Sequence, residues 1–314
     1  MTEEHILYPK TTMFLLENFM LNEVRGRIPE LDEIVEDFQT KARKAIEQSR
    51  DQDEINFNVR TGNFSTKNPF WNSIIIRVRI YKGKSTRAVG QVGTKTKLEN
   101  TGLKRLLIRL TAEWDGASVG GIVDALGEDF AHEITHAYDQ YSRLKTGARS
   151  LDDPEFQARY GASRWTGEEN PAVQILKKVT YFTSKVEQNA FVAELYQNAK
   201  RLVRNKNVSN ADELFKLLLS NETQVGRSYQ ACKQMMEQMW NKPGFWRNLD
   251  EEEALYGSDI PYEDELMTTY SEIFGKKAQS VGDVKIKLQD VWNRFEKTFK
   301  TKVGKVAYDA WMGM

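Results

Sequence analysis

Only one cysteine, Cys232, occurs among the 314 residues of this chain. A single cysteine excludes a disulfide within the chain, and it also excludes a zinc site built from several thiolates. Because disulfides are typical of oxidising compartments, their absence favours a reducing one. The 7 prolines and 20 glycines form neither a low-complexity linker nor an internal repeat. We therefore expect one continuous folded region rather than modules joined by a linker.

An excess of charge of either sign is also absent, since 45 basic and 45 acidic side chains give a formal net charge of zero. This balance provides no general attraction to nucleic acid or to a membrane, and we expect neither as a partner. Long apolar runs are missing too, because the stretch from Met13 to Leu16 is interrupted by Glu17. The N-terminus lacks the basic region of a signal peptide, so a cytoplasmic or otherwise non-secreted protein is expected.

Histidine is scarce, but two of the 3 histidines form a motif. His132 and His136 lie four residues apart, and Glu133 directly follows the first of them. On one α-helix this spacing turns both imidazoles toward a common point, as a tetrahedral Zn²⁺ requires. Glu133 then lies beside the metal and is not one of its ligands. The motif therefore predicts a zinc site.

The apolar pattern around this motif predicts a helix. Phe130, Ile134 and Ala137 recur at the spacing of three to four residues that forms a buried stripe. The acidic pair Glu128 and Asp129 suits the N-terminus of this helix. The alternative is an amphipathic helix whose histidines only cap or form hydrogen bonds in the interior. A histidine pair with its glutamate favours the metal site over that alternative.

The remaining sequence divides by the period of its apolar residues. Helices are predicted in residues 11–25 and in a stretch opened by Pro29, both within an N-terminal helical part, residues 1–53. The period then changes to two, which predicts three half-buried strands around residues 55–59, 76–80 and 106–110. Residues 81–102, between the second and third strands, are rich in glycine, lysine and threonine. We expect a hairpin or a loose edge strand there.

Strands followed by the helix of His132 predict an α+β fold in which a small mixed β-sheet packs on that helix. Pro171 begins another helix, and the capping-box pattern from Ser184 to Glu187 begins the next. Further helices are predicted in residues 210–219, 223–240, 263–275 and 282–311. We assign residues 54–205 to the core and residues 206–314 to a mainly helical C-terminal part. The two parts could still form one continuous domain.

A catalytic zinc site needs a third protein ligand and an open position for water. His5 is the remaining histidine and lies near the N-terminus, so a carboxylate is the candidate. Glu187 is the best choice because it begins a Glu-x-x-Ala arrangement, in which the small Ala190 lets two helices approach closely. Two alternatives stay open. Glu187 could turn back to cap the backbone of Ser184, or Glu169 could be the ligand, although a nearby proline disfavours a continuous helix there.

Residues 132–139 and 181–194 resemble the zincin metallopeptidases, specifically the gluzincin group and its anthrax-lethal-factor type of site. In that group the two histidines of a His-Glu-x-x-His motif and a later glutamate hold zinc. The resemblance implies that His132, His136 and Glu187 are the ligands. It also implies that Glu133 is the general base and that Tyr181 donates a hydrogen bond to the developing oxyanion. No family is recognised over the whole chain.

This resemblance implies a zincin-like catalytic core in residues 54–205 and hydrolysis of peptide bonds in a protein or peptide substrate. The zinc would activate a water molecule while Glu133 accepts its proton. Asp139 and Glu194 are candidates to accept the second N–H of a zinc-bound imidazole, and each has an ordinary solvent-facing alternative. The competing hypothesis is a non-catalytic structural or assembly protein that retains a zincin-like fold. The sequence leaves the oligomeric state open.

Overall fold

The computed structural model describes residues 30–60, 74–84, 86–94, 106–145, 171–206, 208–241 and 262–313. Within these ranges the chain is α+β, with four strands in one sheet and eight helices. The predicted helix at residues 11–25 and the side chains of His5 and Glu169 lie outside the described residues. The chain divides into two compact units, Met1–Tyr138 and Asp139–Met314. The three-part division expected from the sequence stays a prediction.

The elements follow the predicted order closely. The first six are α1 (Leu31–Gln48), β1 (Glu54–Arg60), β2 (Ile74–Lys82), β3 (Arg87–Thr94), β4 (Leu106–Trp114) and α2 (Val119–Lys145). The remaining helices are α3 (Pro171–Phe182), α4 (Lys185–Asn205), α5 (Ala211–Leu218), α6 (Gln224–Asn241), α7 (Tyr262–Phe274) and α8 (Val281–Met312). The starts predicted at Pro171 and after Ser184 are confirmed. Among the described residues, no helix combines the length and apolar character needed to cross a membrane.

The sheet has the strand order β1-β2-β4-β3. It is mixed, as predicted, because β2 and β4 run parallel while β1 and β3 each pair antiparallel with a neighbour. In β2, Ile76, Val78 and Ile80 are buried while Arg77 and Arg79 are exposed. This alternation turns one face of the sheet toward the core. Part of the glycine-rich stretch forms β3, which lies at an edge of this sheet as one of the two expectations had it.

Helix α1 packs on both the sheet and the helix that carries the two histidines. Its apolar face, which includes Ile34 and Phe38, is fully buried, and the helix contacts β1. Phe38 stacks on Phe130 of α2 with ring centroids 4.4 Å apart. The two helices approach closely at Gly127, where a Cβ atom would overlap the side chain of Gln39. Close packing of this kind fixes the position of α2 within the first unit.

Helix α2 begins earlier than the sequence indicated. The predicted start at residues 128–129 is wrong, since the helix starts at Val119 and extends for 27 residues. The Ser118 Oγ atom accepts the N–H of Gly121 at 3.1 Å and so caps the first turn. Two consecutive glycines concealed this start, because glycine is a poor helix former. The histidines consequently lie in the middle of a long helix rather than near its frayed end.

The second unit has an aromatic core organised around α8. This helix contacts α3, α4, α5, α6 and α7. Phe182 at the end of α3 contacts Phe191 of α4 and both Phe295 and Phe299 of α8, with centroid distances between 4.7 and 6.0 Å. All four rings are buried. The junction between α3 and α4 is therefore anchored in a packed core.

Candidate metal centre

Two imidazoles from successive turns of α2 face each other. The Nε2 atoms of His132 and His136 lie 3.1 Å apart, and the ring centroids lie 4.8 Å apart at an interplanar angle of 74°. Nitrogen ligands bound tetrahedrally to zinc at its usual distance are separated by about 3.3 Å. The two nitrogens therefore have nearly the spacing that zinc requires. The helix makes this geometry possible, because residues four apart lie one above the other on the same face.

This turn of α2 is buried despite its polar residues. His132 is 9% exposed and Glu133 is 7% exposed. Phe130 and Ile134 on the neighbouring stripe are fully buried, as the apolar pattern predicted. Burying a carboxylate beside two imidazoles is costly unless other groups compensate for the lost hydration. Such burial is typical of functional residues rather than of a solvated helix face.

Glu187 supplies a third potential ligand. The ligand atoms of His132, His136 and Glu187 all lie within 4.8 Å of one another. Glu187 is 0% exposed, so its carboxylate is withdrawn from bulk water. Two imidazoles and one carboxylate form a donor set typical of catalytic zinc, and they can hold a metal ion here.

The start of α4 explains how Glu187 is presented. Ser184 is the N-cap of this helix, and its Oγ atom accepts the backbone N–H of Glu187 at 3.2 Å. The backbone N–H of Ser184 donates to the carbonyl of Tyr181 at 3.0 Å. The sequence had left capping and ligation by Glu187 as alternatives. In the structure the Ser184 cap uses the backbone N–H of Glu187, and a carboxylate oxygen of Glu187 lies within 4.8 Å of a ring nitrogen of each histidine.

Three further residues singled out from the sequence lie on the same helices. Tyr181 is half-buried in the last turn of α3. Asp139 is half-buried and follows His136 by about one turn of α2, whereas Glu194 is buried in α4. Among the described residues, the group of mutually close ligand atoms contains neither Asp139 nor Glu194. The roles of these three residues stay predictions.

No protein-family model, curated protein or solved structure matches this chain. Its chemistry must therefore follow from its own side chains. Cys232 provides a competing nucleophile in principle, but it is only 5% exposed. Burial raises the pKa of the Cys232 thiol to about 12, so the thiolate needed for nucleophilic attack is scarce at neutral pH. The histidine and carboxylate cluster is the better candidate.

Proposed function

We propose that the protein is a zinc-dependent metallopeptidase with a zincin-like fold. One observation carries the proposal: the Nε2 atoms of His132 and His136 lie 3.1 Å apart, and His132, His136 and Glu187 each offer one ligand atom such that the three atoms lie within 4.8 Å of one another. Glu133 follows His132 directly in the same buried turn. Three protein ligands beside a further carboxylate are the arrangement expected of hydrolytic zinc.

Each residue has a defined role in this proposal. His132, His136 and Glu187 would hold the ion. When bound, zinc supplies Lewis-acid polarisation of a carbonyl group and lowers the pKa of water. The Glu133 carboxylate accepts a proton from the attacking water and then donates it to the nitrogen of the leaving amine. Burial of Glu133 keeps this carboxylate away from bulk solvent, so the proton passes within the site.

Three other side chains support these steps in the proposal. Because the two Nε2 atoms face each other, the Nδ1 atoms remain to donate N–H to a carboxylate or a carbonyl. Asp139 and Glu194 are the proposed acceptors that orient the rings. The hydroxyl of Tyr181 is the proposed donor to the oxyanion that forms from the scissile carbonyl. The substrate class is a peptide or an unfolded protein segment.

The proposal is tested with Glu133→Gln and with Glu128→Gln as the matched control on the same helix. Both zinc-loaded proteins and the wild type are incubated with a library of unstructured peptides, and the products are identified by mass spectrometry. Glu133→Gln should retain zinc but lose cleavage by at least about a hundredfold, because general acid–base catalysis contributes on that scale. Glu128→Gln should cleave as the wild type does.

Two results would contradict the proposal. Cleavage by Glu133→Gln at the rate of the wild type would remove the assigned general base. Absence of any cleavage by the zinc-loaded wild type would reject a peptidase and would favour the non-catalytic structural or assembly role.

A further inference from the structure

The two residues between α3 and α4 form a dense set of hydrogen bonds. The Thr183 Oγ1 atom donates to the carbonyl of Val179 at 2.7 Å, which ties the turn to the end of α3. The Gln188 side-chain amide donates to the carbonyl of Thr183 at 3.0 Å. The backbone N–H of Gln188 also donates to the carbonyl of Ser184 at 3.0 Å. Gln188 of α4 is therefore hydrogen-bonded to both connecting residues, and Thr183 is in turn bonded to α3.

Ser184 makes the contact that reaches the candidate ligand itself. Its backbone is extended, with φ of −65° and ψ of 143°, and its Oγ atom accepts the N–H of Glu187. The first N–H groups of a helix have no partner within the helix, and an uncapped first turn frays. Glu187 lies in this first turn. Without the cap, its backbone would be free to leave the helical conformation that presents the carboxylate.

We propose that Ser184 is a positioning residue for metal binding, which acts by holding the first turn of α4 in the conformation that presents Glu187. This inference rests on the zinc site of the proposed function. Ser184 supplies no ligand atom. Its effect on affinity is conformational, because the apparent dissociation constant rises in inverse proportion to the fraction of molecules that are competent to bind.

The chain offers matched controls for this role. Ser280 caps α8 through the N–H of Asp283 at 3.2 Å, and Asn210 caps α5 through the N–H of Glu213 at 2.9 Å. Both are N-caps of the same type in the same unit as Ser184. Neither helix carries one of the three candidate ligands. Ser280→Ala therefore removes the same interaction without touching the presentation of Glu187.

The experiment measures zinc affinity by competition with a chromophoric chelator and thermal stability by circular dichroism. Ser184→Ala should bind zinc about tenfold more weakly, the scale found for residues that orient metal ligands. Ser184→Thr, which keeps a capping hydroxyl, should restore most of the affinity. Ser280→Ala and Asn210→Ala should lower the melting temperature but leave zinc affinity within about twofold of the wild type.

Ser184→Gly guards against loss of folding, because glycine is tolerated at an N-cap although it lacks the hydroxyl. It should also bind zinc more weakly. Unchanged affinity in a folded Ser184→Ala or Ser184→Gly protein would overturn the positioning role and leave the zinc site standing. Equal loss of affinity in Ser280→Ala would likewise overturn it, since any loss of stability would then suffice. Failure of the wild type to bind zinc would overturn both the site and this role.

Discussion

Helices α4 and α8 begin with the same local chemistry and use it differently. At α8, Ser280 accepts the N–H of Asp283, and the Asp283 carboxylate accepts the N–H of Ser280 at 3.0 Å, which closes a capping box. At α4, Ser184 accepts the N–H of Glu187 in the same way. There, however, the backbone N–H of Ser184 donates to a carbonyl of α3, and the acidic side chain lies with an oxygen within 4.8 Å of a ring nitrogen of each of two histidines.

The two acidic residues also differ in their exposure. Asp283 is exposed, so its charge remains hydrated while it stabilises the helix N-terminus. Glu187 is 0% exposed, and burying a carboxylate is costly unless opposite charge or hydrogen bonds compensate. A cation held by Glu187 and the histidines would provide that compensation. The difference teaches that one capping pattern can leave its acidic side chain in solvent at the helix N-terminus, as in α8, or bury it beside two histidines, as in α4.

The largest expected effect comes from exchanging each acid for its amide. Glu187→Gln should weaken zinc binding by more than about a hundredfold, beyond the range for residues that only orient ligands. The reason is that a neutral amide oxygen is a poorer ligand than a carboxylate. Asp283→Asn, the matched change at α8, should leave zinc affinity unchanged. Competition titration measures both, and equal affinity in the two variants would remove the distinction between the helices.

A second effect is the stability that zinc confers on the folded protein. At a free zinc concentration of a hundred times the dissociation constant, binding should stabilise the wild type by about 2.7 kcal/mol. Asp283→Asn should gain the same increment, although its free energy of unfolding without zinc is lower than that of the wild type. Glu187→Gln should gain almost none at that zinc concentration. Urea unfolding with and without zinc measures the increment. A full increment in Glu187→Gln would show that zinc binds elsewhere.

A smaller effect is expected from the capping box itself. Ser280→Ala should lower the free energy of unfolding by about 1 kcal/mol, because it removes the hydroxyl that accepts the backbone N–H of Asp283 in the capping box. Urea unfolding of the zinc-free protein measures the loss. A neutral result would indicate that the packing of α8 alone holds its first turn.

The smallest effect is a change in the reactivity of Cys232. Its thiol is buried and its pKa is raised to about 12, so labelling in native conditions requires opening of the structure. A loss of about 1 kcal/mol should increase the labelling rate about fivefold in both Ser184→Ala and Ser280→Ala. Labelling with iodoacetamide followed by mass spectrometry measures the rate. Fast labelling of the wild type would contradict the burial of Cys232.

Much of the fold could be predicted because local patterns and tertiary packing agree. The alternation in β2 predicted which residues are buried, and the apolar stripe through Phe130 and Ile134 predicted the buried face of α2. The edge position of β3 was only one of two expectations, since its glycines interrupt the alternation of apolar and polar residues that identifies a strand. The parallel pairing of β2 with β4 lies beyond any local pattern, because it depends on residues distant in the sequence.

The grouping of His132, His136 and Glu187 could be predicted from the sequence, whereas the way in which α4 presents Glu187 could not. The His132 and His136 spacing fixes their shared direction as soon as a helix forms. The sequence could not decide between capping and ligation at Glu187. A capping-box pattern predicts that the serine hydroxyl accepts the backbone N–H of the glutamate, but the partner of the glutamate carboxylate depends on tertiary structure. The supporting role proposed for Ser184 was missed for this reason: the backbone of Ser184 was treated as a competing partner for the Glu187 carboxylate.

The most direct test of the central claim is the zinc content of the purified wild type and of His136→Ala and Glu187→Gln, measured by mass spectrometry after removal of loosely bound ions. Circular dichroism verifies that each protein is folded. We predict one zinc ion per wild-type chain and a clear loss in both variants, because each removes one of three ligands. A folded wild type that takes up no zinc, or variants that retain a full zinc ion, would contradict the account.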